Sequence, residues 1–291
     1  MNQTKTSADD NNSKPAKTES ISAVPGWITE TINGGSFRHV DLHTGSNGWA
    51  SPPGNVFSLR STTYFTNKQK SPGGDYLLSP AGVDWLKSTS KLDHTLSRPD
   101  NRVIHALKKS QSVNSFIFAI NFQIPSKEHY SLVLYSATEE PIPSDSFLHK
   151  LINGDDSLRN QRFKLVSQVV KGPWVVKAAS GNLGAFVLGK TVKCNYHRGS
   201  NYFEIDVDVS TSAILAAFVR LALGYVTSLT VDVGLVMEAL TEDELPERLI
   251  GGVRICHMEL SSAFLVDDQK NLQQPPRMMG SVEANQEEDN I

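Results

Sequence analysis

The chain has 291 residues, 39% hydrophobic and 20% charged, with a formal net charge of −3. This balance supports a packed core and excludes collagen-like and coiled-coil classes. It lacks the strongly basic character of a nucleic-acid binder, so no nucleic-acid partner is expected. Two cysteines, Cys194 and Cys256, cannot build a disulfide framework and read as small buried hydrophobes.

Residues 1–36 open on a polar run rich in Asn, Ser, Thr and Lys, which predicts a disordered tail and lead-in. The run has no apolar signal-peptide core, so a cytoplasmic, non-secreted protein is expected, with peripheral membrane contact left open. Residues 37–266 contain no linker and no repeat, and one domain is the simplest reading. Residues 267–291 are again polar and predict a second tail.

Within the body, residues 56–65 read as a strand. Ser79 followed by Pro80 is a cap with proline at the first helical position, and predicts a short helix to about Lys87. Asp100 can cap a second helix toward Lys109. Residues 116–124 place Phe116, Phe118, Ile120, Phe122 and Ile124 on one strand face, with Asn121 and Gln123 on the other. A strand over 129–137 follows, then a helix from Ser144 or Asp145 to Ile152 that stops at Asn153-Gly154. Residues 163–170, 174–179 and 186–196 read as strands.

The segment 201–209 alternates Phe203, Ile205, Val207 and Val209 with Glu204, Asp206 and Asp208. Its carboxylates read as a solvated face, because a calcium loop needs a turn with a central glycine. The preceding turn His197-Arg198-Gly199 is either a plain hairpin turn or an anion-holding pair, His197 and Arg198.

Ser210, Thr211 and Ser212 then offer caps for a long helix over 213–239. Ile214, Leu215, Phe218, Tyr225, Val226 and Leu229 gather on its bulky face, and small residues lie opposite. Asp232 falls at the edge of the bulky face, where an unpaired charge is costly. The helix is long enough to span a bilayer, but Arg220 and Asp232 cancel its insertion energy, so a buried soluble helix is expected. Residues 253–260 close the body as a strand. Lys87, Lys91, Lys108 and Lys109 form a loose basic region that reads as a solvated face or a contact for anionic lipid. No zinc-binding, nucleophile-elbow, phosphate-loop or dinucleotide motif occurs, so no metal, cofactor or catalytic residue is expected.

Several long motifs carry a resemblance. They are VDWLKS at 83–88, HYSLVLY at 129–135, NGDDSLRNQRFKLV at 153–166 and GPWVVKAASG at 172–181, continuing through FVLGKTVKCNYHRGSNYFEIDVDVSTSA to LALGYVTSLTVDVGLVMEALTEDELPERLIGGVR. Over Phe37 to about Ala263 the chain resembles the C-terminal domain of the plant Enhanced Disease Resistance 2 proteins. The resemblance implies a link to restraint of plant defence and cell death. Larger members carry a pleckstrin-homology domain and a START lipid-binding domain ahead of this one. Neither is expected in these 291 residues, so their membrane targeting and lipid cavity do not carry over. The resemblance supplies no catalytic residues.

The expected fold is α+β: a curved, largely antiparallel sheet, covered on one side by the long C-terminal helix. That arrangement is similar to the helix-grip of START-like proteins, by analogy of fold alone. A helix standing off the sheet would leave an apolar cavity between Phe203, Ile205 and Val207 on the strand and Phe218, Tyr225 and Leu229 on the helix. Three functions stay open. The first is a non-enzymatic regulatory domain that binds a lipid or other hydrophobic ligand. The second is a protein-interaction module with a filled core, and the third an enzyme without a visible motif.

Overall fold

A computed structural model describes residues 24–110 and 112–266; the tail readings for 1–23 and 267–291 lie outside these. The helices are α1 (Gly26–Asn33), α2 (Tyr64–Asn67), α3 (Arg102–Leu107), α4 (Phe147–Asn153), α5 (Asp156–Arg162), α6 (Trp174–Ala179), α7 (Leu188–Thr191) and α8 (Ala213–Leu223). The strands are β1 (Gly48–Ala50), β2 (Ser58–Arg60), β3 (Lys70–Pro72), β4 (Ser79–Ser88), β5 (Phe116–Ile124), β6 (His129–Thr138), β7 (Phe163–Lys171), β8 (Ala185–Val187), β9 (Lys193–Arg198), β10 (Tyr202–Asp208), β11 (Thr230–Met237), β12 (Leu249–Cys256) and β13 (Phe264–Val266).

The protein is a mixed α+β fold with two large sheets. One runs β13-β4-β6-β5-β10-β9, with β10 parallel to β5 and β13 parallel to β4. The other runs β1-β12-β11-β7-β8 and is antiparallel throughout. Period-two side chains explain the main core. Val83, Trp85, Phe118, Ile120, Phe203 and Ile205 face inward from the first sheet, and Phe163, Leu165, Leu235, Val253 and Ile255 from the second. The Phe118 and Phe163 rings meet edge-on at 5.9 Å across the interface.

The first sheet is buried on both faces. Ile117, Ala119, Val133 and Tyr135 on its outer side pack under α1, α3 and the 89–101 segment through Trp27, Ile28, Leu92, Leu96, Val103 and Leu107. The lead-in set outside the domain by composition therefore contributes to it, with Trp27 Nε1 donating to Glu139 Oε1 at 2.6 Å. The outer side of the second sheet meets the β2–β3 hairpin through Phe57, Leu59, Val166, Val236 and Leu249.

Two expected helices are corrected. The long helix ends at Leu223, after eleven residues, and 230–237 form β11 in the middle of the second sheet. Val231, Val233 and Leu235 alternate with Thr230, Asp232 and Gly234, so period two wins where β-branched residues crowd together. The premise of a helix-grip, one long helix laid on a sheet, is absent among the described residues. Ser79–Ser88 is strand β4, because Val83 and Trp85 bury in the main core and override the Ser-Pro cap. Conversely, 174–179 is helix α6. No described helix is long and apolar enough to cross a membrane.

Candidate functional site

An apolar cavity of about 180 Å³ lies between the two sheets at the end covered by α8. The first sheet contributes Phe122, Ile124, Leu132 and Leu134, and the second Leu165, Val231, Val233, Val253 and Ile255. Leu183, Phe186 and Leu188 follow from the α6–α7 region. Ser212 caps α8, accepting from the Leu215 amide, and this orientation turns Leu215, Phe218 and Val219 into the cavity. Ser167 is the one polar side chain among the described lining residues, and its hydroxyl is already donated to the Leu183 carbonyl at 3.0 Å. The cavity therefore offers dispersion contacts and no anchor for a polar group.

Ile124 also lines a second, open groove of about 850 Å³. Its walls are the β5–β6 loop (Pro125, Ser126, Lys127), His129, the end of α8 (Arg220, Leu223, Gly224), and Lys91 with Asp208. Lys91 Nζ reaches Asp208 Oδ2 at 2.5 Å. Burial alone would raise the Asp208 carboxyl, but hydrogen bonds from Lys91 and Ser210 outweigh it and hold the group below its usual range.

Of the six residues read as a ligand face, Phe218 lines the cavity. Phe203, Ile205 and Val207 belong to the same core but are fully buried among protein atoms. Tyr225 is 40% exposed beyond the end of α8, and Leu229 is buried ahead of β11. The long-helix reading conceals the lining from β11, for which the alternation in Thr230–Leu235 is the signal, whereas Val253 and Ile255 fall in the segment 253–260 read as a strand.

The solvated-face reading of β10 is corrected for two of its carboxylates. Glu204 and Asp206 are wholly buried on the outer face of the first sheet, under the 89–101 segment. Glu204 accepts from the Thr95 amide and hydroxyl, both at 2.7 Å, and from the Leu96 amide at 2.8 Å. Asp206 accepts from the His94 amide and from Asn121 Nδ2, each at 2.9 Å. His197 Nε2 stands 2.8 Å from Asp206 Oδ2, and its ring stacks on His94 at 4.3 Å. The covering segment forms little regular structure, so its amides need acceptors, and the sheet supplies them. His197 is thus committed to a carboxylate, and Arg198 is exposed beside it. The structure does not bring them together as an anion site. Burial, then repulsion from Asp206, pushes Glu204 up to about 7 against the pull of its hydrogen bonds. Burial, then the neighbouring His197, lowers His94.

The remaining clusters are closed on themselves. Asp232, flagged by sequence as costly if unpaired, receives both Arg254 Nε at 2.6 Å and Nη2 at 2.8 Å. Lys164 and Arg60 both pair with Glu247 beneath the β2–β3 hairpin. Among the described residues no group of His, Cys, Asp and Glu is arranged to hold a metal ion.

A family model described as "Protein ENHANCED DISEASE RESISTANCE 2, C-terminal" matches residues 49–259. The chain belongs to that family. The match spans β1 to β12 and so contains most of both sheets, the cavity and the groove. A relative from Arabidopsis thaliana named "Protein ENHANCED DISEASE RESISTANCE 2-like" is 40% identical over 231 residues, 79% of this chain and 31% of the relative. The chain thus spans about a third of that relative's length. No solved structure matches it. In this Enhanced Disease Resistance 2 C-terminal domain, the motif at 172–181 supplies the bend after β7 and helix α6, beside the cavity wall.

Proposed function

We propose that this domain is a non-enzymatic regulatory module that takes the apolar part of a lipid or other hydrophobic ligand between its two sheets. The observation that carries this reading is the cavity, lined almost entirely by aliphatic and aromatic side chains beside a partly exposed helix. Its volume compares with an engineered cavity of about 150 Å³ that admits benzene, so it suits a ring or a short alkyl segment rather than a whole lipid. By its name the Arabidopsis relative concerns disease resistance, and a role in plant defence control is proposed here on that kinship. A cytoplasmic location with peripheral membrane contact fits such a role.

The test is saturable uptake of a fluorescent alkyl probe by wild type and by Val219→Phe. The variant should fill the cavity from α8, lose uptake, and stay as stable as wild type or gain about 0.5–2 kcal/mol. Uptake unchanged in a folded Val219→Phe protein would place the probe elsewhere and defeat the reading.

A protein-interaction module is the second reading, and one observation favours it. Trp174 on α6 is 81% exposed and Ile214 on the adjoining α8 is 75% exposed. Exposed apolar side chains on adjoining helices offer a protein partner a surface to bury.

A further inference from the structure

We infer that the groove beside the cavity is a head-group site for an anionic amphiphile, one carrying a carboxylate or phosphate. The inference deepens the reading above and rests on it. An amphiphile with its apolar end in the cavity cannot satisfy its polar end there, since Ser167 is already bonded to Leu183. Ile124 borders both spaces, and Phe218 and Val219 on the cavity side are followed at once by Arg220 on the groove side.

The charges of the groove set the sign of its ligand. Lys91, Lys127 and Arg220 face a single lining carboxylate, Asp208, in a chain whose net charge is −3. Asp208 is taken by Lys91. Glu128, the acid next to Lys127 in the chain, is held by Lys87 at 2.6 Å and by the Tyr130 hydroxyl at 2.8 Å. Lys127 and Arg220 are in no ion pair with another described residue, and both line the groove. A guanidinium fork and an ammonium are suited to carboxylate or phosphate oxygens. Lys164, Arg60 and Arg254, by contrast, each have a carboxylate partner.

The experiment is calorimetric titration with dodecanoate, dodecyl phosphate, 1-dodecanol and dodecylammonium, each below its aggregation concentration. It is run on wild type and on the double variant Lys127→Ala, Arg220→Ala. Both residues are exposed, so melting should confirm a folded variant. Wild type should bind the two anions about tenfold more tightly than dodecanol, and dodecylammonium most weakly. The double variant should bind the anions as weakly as it binds dodecanol, with dodecanol itself unchanged. Equal binding of all four heads, or an anion preference that survives in the double variant, overturns the inference and leaves the cavity reading standing. Binding of none of them removes the cavity reading and the inference with it.

Discussion

Glu204 and Asp206 show what a buried carboxylate does when loop amides surround it. Because the folded protein raises Glu204 from 4.5 to about 7, its stabilising contribution is complete below about pH 4.5 and is lost as pH rises through 7. His94 is lowered, so its contribution is complete above 6.5 and is lost on acidification, opposing Glu204 in the acid range. The stability of wild type relative to Glu204→Gln should therefore fall as pH rises from 5 to 7.5, read from urea midpoints at each pH. A flat difference would assign Glu204 an ordinary titration, and a rising one would contradict a raised one. Asp206→Asn should cost about 1–3 kcal/mol, since an amide group would face the donors of His94, Asn121 or His197. Arg254→Ala should cost more, about 3–5 kcal/mol in the same assay, because it strands Asp232 in the interior. The sequence displayed the alternation of β10 plainly but left its burial hidden. A polar strand face under a polar cover has the same pattern as one under water, and only the amides of residues 94–96 tell them apart.

At the scale of elements, α8 is the clearest contrast between pattern and packing. The amphipathic reading placed Ile214 and Leu215 together on a core face, yet Leu215 is buried and Ile214 is 75% exposed. Leu215→Asp should unfold the domain or leave it insoluble, since an unpaired carboxylate in the core costs as much as the whole fold contributes. Ile214→Asp should shift the melting midpoint little; equal damage from both would mean α8 is turned differently. The strands β5, β6, β7 and β10 were legible because each offers several alternating apolar residues. Over 213–239 the pattern fits one helix because Leu, Val and Ala satisfy a helical period nearly as well as a strand period until tertiary pairing decides. Gly224 and the valines of β11 mark where the decision changes. Similarly, the Ser-Pro signal at the start of β4 was local, whereas the burial of Trp85 against Tyr130, stacked at 4.9 Å, is long-range.

For the molecule as a whole, two sheets meet through large side chains such as Phe118 and Phe163 over most of their interface, and part at the α8 end. A sequence reveals which residues are apolar but cannot reveal that facing side chains fall short of contact, so the cavity belongs to the structure alone. The family kinship, by contrast, was carried by long motifs that needed no coordinates. The central claim is that hydrocarbon enters between the sheets at α8, and methyl nuclear magnetic resonance of Leu and Val groups during titration with decanoate tests it most directly. Shifts should concentrate at Leu132, Leu134, Leu165, Val219, Val233 and Val253, while Leu59 and Leu107 on the outer faces stay in place. Shifts confined to the outer faces, or none at saturating decanoate, would contradict the account.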